Sequence, residues 1–291
     1  MLKGETGFKS HEEKVDGYKV RRRSSSFADH FTQARLFFNS QTTPEKEHII
    51  NGYSFELSKV NSVAIRKREL AILNQIDQVL ATRVGANLGL TPPEQLDELT
   101  LQFARQNHPE YPVKAAKPEV EKSAALSMAT APGEGTIETR KVAFLVADGV
   151  SKASVDVMKK ALVAEGAEAV LISTHTGSVK FKEGGEAEIQ HTYLTEASVC
   201  YDAFYTPDGD SVATLEDEPD YIHFINEGFR HCKALAFAKG AEKLIAESYI
   251  AKQEKDSGLI LESGHNLTAD FITAMKGHRV WDREKVRKVP A

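Results

Sequence analysis

Residues 140–162 constrain the fold more than any other part of this 291-residue sequence. Residues 142–147 form a continuous apolar run with β-branched and aromatic members, which predicts a strand buried on both faces. The pair Asp148-Gly149 predicts a turn. From Ala153 onward apolar residues recur at helical spacing, and we expect them on one buried face: Val155, Met158, Leu162 and Val163.

The same pattern continues beyond this helix. Lys159, Lys160 and Glu165 fall on its opposite face, Gly166 ends it, and Val170-Leu171-Ile172 begins a second apolar run. A strand, a helix and a second strand in this order predict a parallel β-α-β unit with a right-handed crossover.

The rest of this half alternates in the same way. Further strands are predicted at residues 199–206, 234–238 and 258–261, and helices at about residues 221–232, 241–247 and 267–276. We therefore predict an α/β fold for residues 140–291, a flavodoxin-like doubly wound parallel sheet.

Residues 27–90 are predicted to be helical. Thr43-Pro44 is a typical helix start, Asn61-Ser62 is a break with Ser62 as candidate N-cap, and Gly89 is a stop. A further short break is predicted near Asp77. The side chains expected to face the interior are Ile49, Ile50, Tyr53, Phe55, Leu57, Ile65, Ile72, Leu73, Ile76, Val79, Leu80 and Val84.

Two segments are predicted to lack regular structure. Residues 1–26 are polar, carry Arg21-Arg22-Arg23, and are expected to form an extended arm, with a phosphate or nucleic-acid site as the alternative. Residues 91–139 contain several prolines and glycines and predict a linker with a short helix near residues 93–106.

Composition excludes several classes of protein. A net charge of −5 gives no reason to expect nucleic-acid binding, and no apolar run approaches the length of a membrane span. The first residues lack the apolar core of a signal peptide. Two cysteines make neither a disulfide framework nor a zinc site, so a cytoplasmic protein is expected.

The turns that follow the predicted strands carry little catalytic chemistry. The turn after the first strand has one glycine, Gly149, where a dinucleotide fingerprint needs three. Residues 236–241 match the position of a nucleophile elbow, but Ala238 occupies the place of the nucleophile. Cys200 and Cys232 lie elsewhere and are interpreted as small buried thiols.

Neither the histidines nor the acidic residues predict a metal site. His175, His191, His223, His231, His265 and His278 lack metal-ligand spacing. Asp208, Asp210 and residues 216–218 form an acidic loop, for which solvation is favoured over metal binding. The basic tail carries the only tryptophan, Trp281, which we expect to pack against a neighbouring surface.

The two halves together resemble a known family. Residues 23–31, 33–37, 40–42 and 48–60, with Arg83-Val84 and Leu88-Gly89-Leu90, closely resemble the last helical segment of haem catalases. The second half resembles the flavodoxin-like domain that follows this segment in large-subunit catalases. The closing residues 278–281 and 289–291 resemble the terminus of that subfamily.

This resemblance implies disproportionation of hydrogen peroxide, a role in oxidative stress, a haem cofactor in the full-length family, and a tetramer. The family's distal His and Asn and its proximal Tyr lie upstream of the resembled part, and residues 35–39 carry Asn39 where a Tyr ligand would be needed. No catalytic, cofactor-binding or metal residue is therefore expected here. The expected role is a non-catalytic, stabilising portion that forms a homo-oligomer or binds a haem-bearing catalase portion.

The second half is also similar to amidotransferase-like cysteine proteases and deglycases. Their elbow cysteine, following histidine and acidic residue correspond here to Ala238, Lys239 and about Ser151, none of which suits that chemistry. Two alternatives remain open. One is a protein-binding or holdase module, and the other is a residual hydrolase that uses Cys200 or Cys232.

Overall fold

A computed structural model describes residues 10–19, 21, 29–94, 119–130 and 135–286. The chain divides into two compact units, Met1–Leu126 and Ser127–Ala291. Most of the expected arm, much of the expected linker with its helix near residues 93–106, and the last five residues lie outside the described residues. The bounds given to the arm and the linker therefore stay predictions.

The first unit contains four α-helices within the described residues. Thr42 precedes the second of them, and both its backbone N–H and its hydroxyl donate to Glu45 Oε2 at 2.7 Å. With Pro44 in the first turn, this arrangement confirms the predicted helix start. The helices are α1 (Thr32–Ser40), α2 (Thr43–Ser58), α3 (Val63–Ile76) and α4 (Gln78–Leu88).

The predicted breaks between these helices are confirmed. Asp77 separates α3 from α4, and its Oδ1 accepts a hydrogen bond from the backbone N–H of Leu80 at 2.9 Å. Gly89 ends α4 in the left-handed conformation with φ of 68°. Ser62 precedes α3 as expected, although its side chain makes no capping hydrogen bond within the described residues.

Fewer side chains are buried inside this unit than the sequence suggests. Tyr53, Phe55, Ile65 and Val79 were expected inside, but they are 37%, 62%, 48% and 62% exposed. Each helix turns one apolar stripe inward, and a run such as Ile49–Leu57 covers more than one helical face, so part of it must face outward. The buried side chains are Phe38, Ile50, Leu57, Leu70, Leu73, Leu80, Ala81 and Val84.

The second unit is an α/β domain that confirms the predicted fold class. Its six-stranded sheet has the order β5-β2-β1-β6-β7-β8, and all neighbouring strands are parallel. The strands are β1 (Lys141–Leu145), β2 (Glu168–Ser173), β5 (His191–Thr192), β6 (Ala203–Thr206), β7 (Ala234–Phe237) and β8 (Leu259–Leu261), and an antiparallel hairpin consists of β3 (Gly177–Lys180) and β4 (Glu186–Ile189).

Helices cover both faces of this sheet. One face packs on α5 (Lys152–Ala164) and α8 (Leu267–Lys276), through residues such as Met158 and Phe271. The other packs on α6 (Ser211–Glu216) and α7 (Pro219–Arg230), through residues such as Leu215 and Phe224. Because β1 lies between both layers, Val142–Leu145 are fully buried, as its continuous apolar run predicts.

Some local predictions for this domain were wrong. Val163 is 55% exposed, since the buried stripe of α5 consists of Val155, Met158 and Leu162 alone. The strand expected from residue 199 begins at Ala203, because Ser198–Cys200 forms a 3₁₀ turn. The helix expected at residues 241–247 is a 3₁₀ helix, Lys239–Glu247.

Within the described residues, no helix is both long enough and apolar enough to cross a lipid bilayer.

Candidate functional site at the carboxyl edge of the sheet

The fold places its natural crevice between β1 and β6. The chain after β1 leads into α5 on one face, and the chain after β6 leads into α6 on the other face. Ligands of doubly wound proteins bind at the carboxyl ends of two such strands. The loops that follow these strands are therefore the first place to look for a functional site.

These two loops fill the crevice with their own backbone. Ser151 N–H donates to the carbonyl of Asp208 at 2.8 Å, and Asp210 N–H donates to the carbonyl of Gly149 at 2.9 Å. Gly209 lies between these bonds with φ of +136°, and a Cβ there would come within 2.5 Å of the Gly149 carbonyl oxygen. Only glycine permits this approach.

The N-terminus of α5 is occupied by a carboxylate of the protein itself. Glu183 accepts hydrogen bonds from the Ser151 hydroxyl and the Lys152 backbone N–H, both at 2.8 Å. These hydrogen bonds lower the pKa of Glu183 to about 2, and the bond from the Lys152 N–H is the larger cause. A bound phosphate would use the same end of the helix, so this contact and the missing glycines both argue against a dinucleotide site.

Glu183 lies in the turn between the two strands of the hairpin β3–β4. The hairpin backbone is tied to the turn after β1, where Gly149 N–H donates to the Lys180 carbonyl and Lys180 N–H donates to Asp148 Oδ1, both at 2.8 Å. Lys182 forms an ion pair with Asp210 at 2.8 Å, which joins the hairpin to the loop after β6. The predicted turn at Asp148-Gly149 is confirmed, and it serves as the attachment point of the hairpin.

The elbow position after β7 is closed in a similar way. Ala238 is buried and has an ordinary extended backbone, so the strained geometry of a nucleophile elbow is missing together with the nucleophile. The next backbone N–H, of Lys239, donates to Glu262 Oε2 at 2.7 Å. A Cβ at Gly240 would overlap the Asp208 carboxylate, so this loop also packs tightly against the loop after β6.

An open cleft of about 500 Å³ remains between the first turns of α5 and α8. Its floor contains Tyr205, whose hydroxyl lies 2.6 Å from Ser154 Oγ, and Ser154 Oγ also accepts from Asp208 N–H at 3.1 Å. The pKa of Tyr205 is raised to about 12, mainly by burial; the hydrogen bond with Ser154 opposes this shift, and the charges of Glu262 and Asp208 add to it. The hydroxyl therefore stays protonated at neutral pH.

The two cysteines lie away from this edge. Cys200 precedes β6 and Cys232 precedes β7, so both are at the amino ends of their strands, opposite the elbow. Cys232 is fully buried, as expected, with its Sγ 3.7 Å from Glu284 Oε1. Cys200 is exposed, which corrects its interpretation as a buried thiol. The 3₁₀ turn Ser198–Cys200 carries it outside the sheet.

The histidines and the acidic loop form separate local pairs. His191 pairs with Glu196, His223 with Glu227, and His265 with Asp270. In the acidic loop, Asp210 pairs with Lys182, Glu216 pairs with Lys243, and Glu218 accepts the Asp220 N–H at the start of α7. Among the described residues, no group of three His, Cys, Asp or Glu side chains is placed to hold a metal ion.

The tail is anchored by an arginine that the sequence did not single out. Arg283 is 4% exposed and forms a bidentate ion pair with Asp256 at 2.6 and 2.7 Å. It also donates a hydrogen bond to the Lys233 carbonyl at 2.6 Å. Its guanidinium lies 4.1 Å from the centre of the Phe229 ring. Trp281 is only partly buried and meets His278 edge-on, at 6.2 Å between ring centres.

Comparison with known proteins identifies both units. Residues 24–88 match the family described as "Catalase-related immune-responsive", and residues 138–285 match the "C-terminal domain found in long catalases". The chain is 39% identical to Catalase HPII of Pseudomonas putida over 288 residues, which cover 98% of this chain and 38% of that protein.

Other relatives show the same coverage. Identity is 34% to Catalase-B of Dictyostelium discoideum, over 98% of this chain and 39% of that protein. Identity is 32% to Catalase-2 of Bacillus subtilis, over 96% of this chain and 38% of that protein. The chain thus spans less than half the length of the relatives that it matches. It belongs to the family of long, large-subunit catalases and corresponds to their C-terminal portion, a catalase-related helical segment followed by the long-catalase C-terminal domain.

Proposed function

We propose that this chain is a non-catalytic, stabilising portion of a catalase that converts hydrogen peroxide to water and oxygen. One observation carries the proposal: 98% of the chain aligns with Catalase HPII of Pseudomonas putida, yet the aligned part is 38% of that protein. We therefore place the peroxide reaction in the remaining part of such a relative, outside the segment that aligns with this chain.

Three buried tyrosines of the second unit are unsuited to bind a haem iron. Catalase iron takes a tyrosine phenolate as its axial ligand. Here the buried hydroxyls of Tyr193, Tyr205 and Tyr221 are all engaged by internal groups, with Val146, Ser154 and Thr206 as their partners. Burial raises the pKa of each of these tyrosines, so the phenolate form is disfavoured. We therefore assign no step of the peroxide reaction to these side chains.

The helical unit has the surface of a segment that packs against another protein surface. Its partly or largely exposed apolar side chains are Phe37, Tyr53, Phe55, Val63, Ile65 and Val79. Burying such a side chain completely contributes about 1.5–3 kcal/mol, and these are covered only in part. The partner we propose is a haem-bearing catalase portion within a homo-oligomer, in the cytoplasm, where free thiols such as Cys200 persist.

Reconstitution tests this role. The part of Pseudomonas putida Catalase HPII that precedes the matched segment is to be produced alone and together with this chain. We expect a stable complex whose haem absorbance survives to a higher temperature than that of the haem-bearing part alone. A variant with Phe55 and Val79 changed to Ser provides the matched control and should bind more weakly. If this chain neither binds nor raises the melting temperature, the stabilising role is wrong.

A second function is supported by the same exposed side chains. A surface of this kind also suits a holdase that binds unfolding proteins. Suppression of the thermal aggregation of an unrelated client, lost in the same double variant, would favour this function. If the client aggregates at an unchanged rate, the holdase function is excluded.

A further inference from the structure

The strand β2 has a neighbouring strand along only part of its outer edge. On its inner side it pairs with β1 from Glu168 to Ile172. On its outer side, within the described residues, β5 pairs only with Ile172 and Ser173. Residues 168–171 therefore form an open edge of the sheet.

Hydrogen bonds show which backbone groups of β2 point toward this open edge. Glu168 N–H donates to the Arg140 carbonyl at 2.8 Å, so Glu168 directs its backbone groups toward β1. Because successive residues of a strand direct these groups to opposite sides, those of Ala169 and Leu171 point outward. The carbonyl of Ser173, on the same outward side, accepts the backbone N–H that follows β5 at 3.0 Å. In the part of the chain that the structure describes, the N–H groups of Ala169 and Leu171 have no acceptor.

A cavity of about 460 Å³ lies against the open edge. It forms because β4 diverges from the sheet to pair with β3, and the chain rejoins the sheet only at β5. Ala169, Val170 and Leu171 form one wall of the cavity, while Glu188 and His191 lie on the other side. The cavity therefore has room for a short segment of extended chain beside the outward N–H groups.

The open edge lacks the features that usually prevent a strand from pairing with another chain. Native proteins protect such edges with charged side chains, prolines or bulges. Residues 169–173 read Ala-Val-Leu-Ile-Ser and contain neither a charge nor a proline. Ala169 and Leu171 are only partly buried, and both pack against the hydrophobic cluster beneath α5. The edge thus offers backbone donors together with apolar contact to an added strand.

The rim of the cavity is acidic. Its lining contains three glutamates, Glu168, Glu188 and Glu196, and one lysine, Lys141, which pairs with Glu168 at 3.6 Å. Within the described residues Glu188 has no cationic partner and accepts only from the side chain of Gln190, at 3.3 Å. A segment that carries lysine or arginine therefore complements the charge of the cavity.

We propose that the open edge of β2 binds an extended, basic peptide segment of a partner protein, which adds to the sheet as a further strand. Main-chain hydrogen bonds to Ala169 and Leu171 hold the segment, and one of its basic side chains pairs with Glu188. A second copy of this chain that paired through the same edge would bring two acidic rims together, which is unfavourable. The site belongs to the second unit and is independent of the role proposed for the helical unit.

Hydrogen exchange in the free chain tests whether the edge is open. Val170 is the internal control, because its N–H points toward β1. We expect the amides of Ala169 and Leu171 to exchange at least about tenfold faster than that of Val170. Equal protection of the three amides would overturn the open edge. Protection of Ala169 that rises with protein concentration would assign the edge to a second copy and would also overturn the proposal.

Three end-blocked pentapeptides test the class of ligand. They are Lys-Val-Lys-Val-Lys, Glu-Val-Glu-Val-Glu, and a Lys-Val-Lys-Val-Lys that is N-methylated at every residue and cannot donate backbone hydrogen bonds. Each is titrated into the full chain at physiological ionic strength and followed by NMR. We expect saturable shifts and slower exchange at Ala169 and Leu171 with the first peptide alone. Equal binding of the N-methylated peptide would overturn strand addition, equal binding of the glutamate peptide would overturn the charge argument, and no saturable binding of the first peptide would overturn the site.

Variants of the chain locate the binding. Ala169→Pro removes one outward N–H, and proline is accepted on an edge strand where that N–H faces solvent, so the domain should fold and bind Lys-Val-Lys-Val-Lys at least about tenfold more weakly. Glu188→Gln should weaken the same peptide about threefold. Glu186→Gln removes an exposed carboxylate of β4 that does not line the cavity, and it should leave the Kd unchanged. Equal Kd values for Glu188→Gln, Glu186→Gln and the parent would contradict the contact with Glu188, and this comparison holds even if Ala169→Pro does not fold.

Discussion

Glu183 accepts a 2.8 Å hydrogen bond from the hydroxyl of Ser151, a residue 32 positions earlier in the chain. Its other oxygen accepts from the Lys152 N–H, so one carboxylate closes the N-terminus of α5. The end of the helix that would receive a phosphate in a nucleotide-binding relative of this fold is thus used for stability.

Removing this carboxylate should destabilise the domain in a pH-dependent way. The pKa of Glu183 is lowered from 4.5 to about 2, so its contribution is complete above pH 4.5 and is lost as the pH falls toward 2. Thermal melts should show a lower Tm for Glu183→Gln at pH 7, with the difference from the unmodified chain disappearing near pH 2. Glu247→Gln serves as the control and should melt like the parent at both pH values. A constant difference across this range would show that the charge of Glu183 is not what matters.

Gly209 should tolerate no side chain. Its φ of +136° and the 2.5 Å approach of a Cβ to the Gly149 carbonyl predict that Gly209→Ala costs about 2–4 kcal/mol in the free energy of unfolding. Gly264 is the matched control, because nothing lies within 4 Å of a Cβ there and its φ is not positive. Urea denaturation of both variants measures the difference. Similar midpoints for the two would mean that the loops after β1 and β6 are not packed as described.

Arg283 should be the anchor of the tail. Replacing it by Ala leaves the Asp256 carboxylate without its partner and removes the packing on Phe229, so we expect a loss of about 3–5 kcal/mol. Lys255→Ala, on the exposed surface nearby, should cost little. Limited proteolysis should also cut Arg283→Ala earlier, near residues 278–286. Unchanged stability and unchanged cleavage would contradict the anchoring role.

His278 should lower the stability of the domain in mild acid. Burial, followed by the charges of Arg279 and Arg140, lowers its pKa from 6.5 to about 4. Between these values the unfolded chain binds a proton that the folded chain does not, so the free energy of unfolding falls as the pH decreases from 6.5 to 4. His278→Asn keeps a residue that tolerates the observed φ of 65°, and it should flatten this part of the profile. An identical slope in both proteins would exclude His278 as the cause.

The sequence predicts the regular elements of the sheet domain well where periodicity is strong. Residues 267–276 were expected to be helical and form α8 with the same bounds, and the buried run after Arg140 forms β1. The hairpin β3–β4 was missed because each of its strands has four residues and mostly polar side chains. With one apolar residue such as Val179 inside, a strand of this length gives no clear alternation.

For the candidate site, the sequence predicts only which catalytic and binding groups are missing. The absent nucleophile at Ala238 and the single glycine at Gly149 are visible in the sequence. The carboxylates that replace a ligand are not visible, because Glu183 and Glu262 reach the helix and the elbow from 31 and 23 residues away. Such contacts depend on tertiary packing, which local patterns do not encode.

This chain belongs to the family of long catalases, and we propose that it does not itself carry out the peroxide reaction. The most direct test is to add hemin to the purified chain and to record its Soret absorbance and the oxygen released from hydrogen peroxide. We predict a spectrum and a rate equal to those of free hemin. A shifted Soret band accompanied by oxygen release well above that of free hemin would contradict this account.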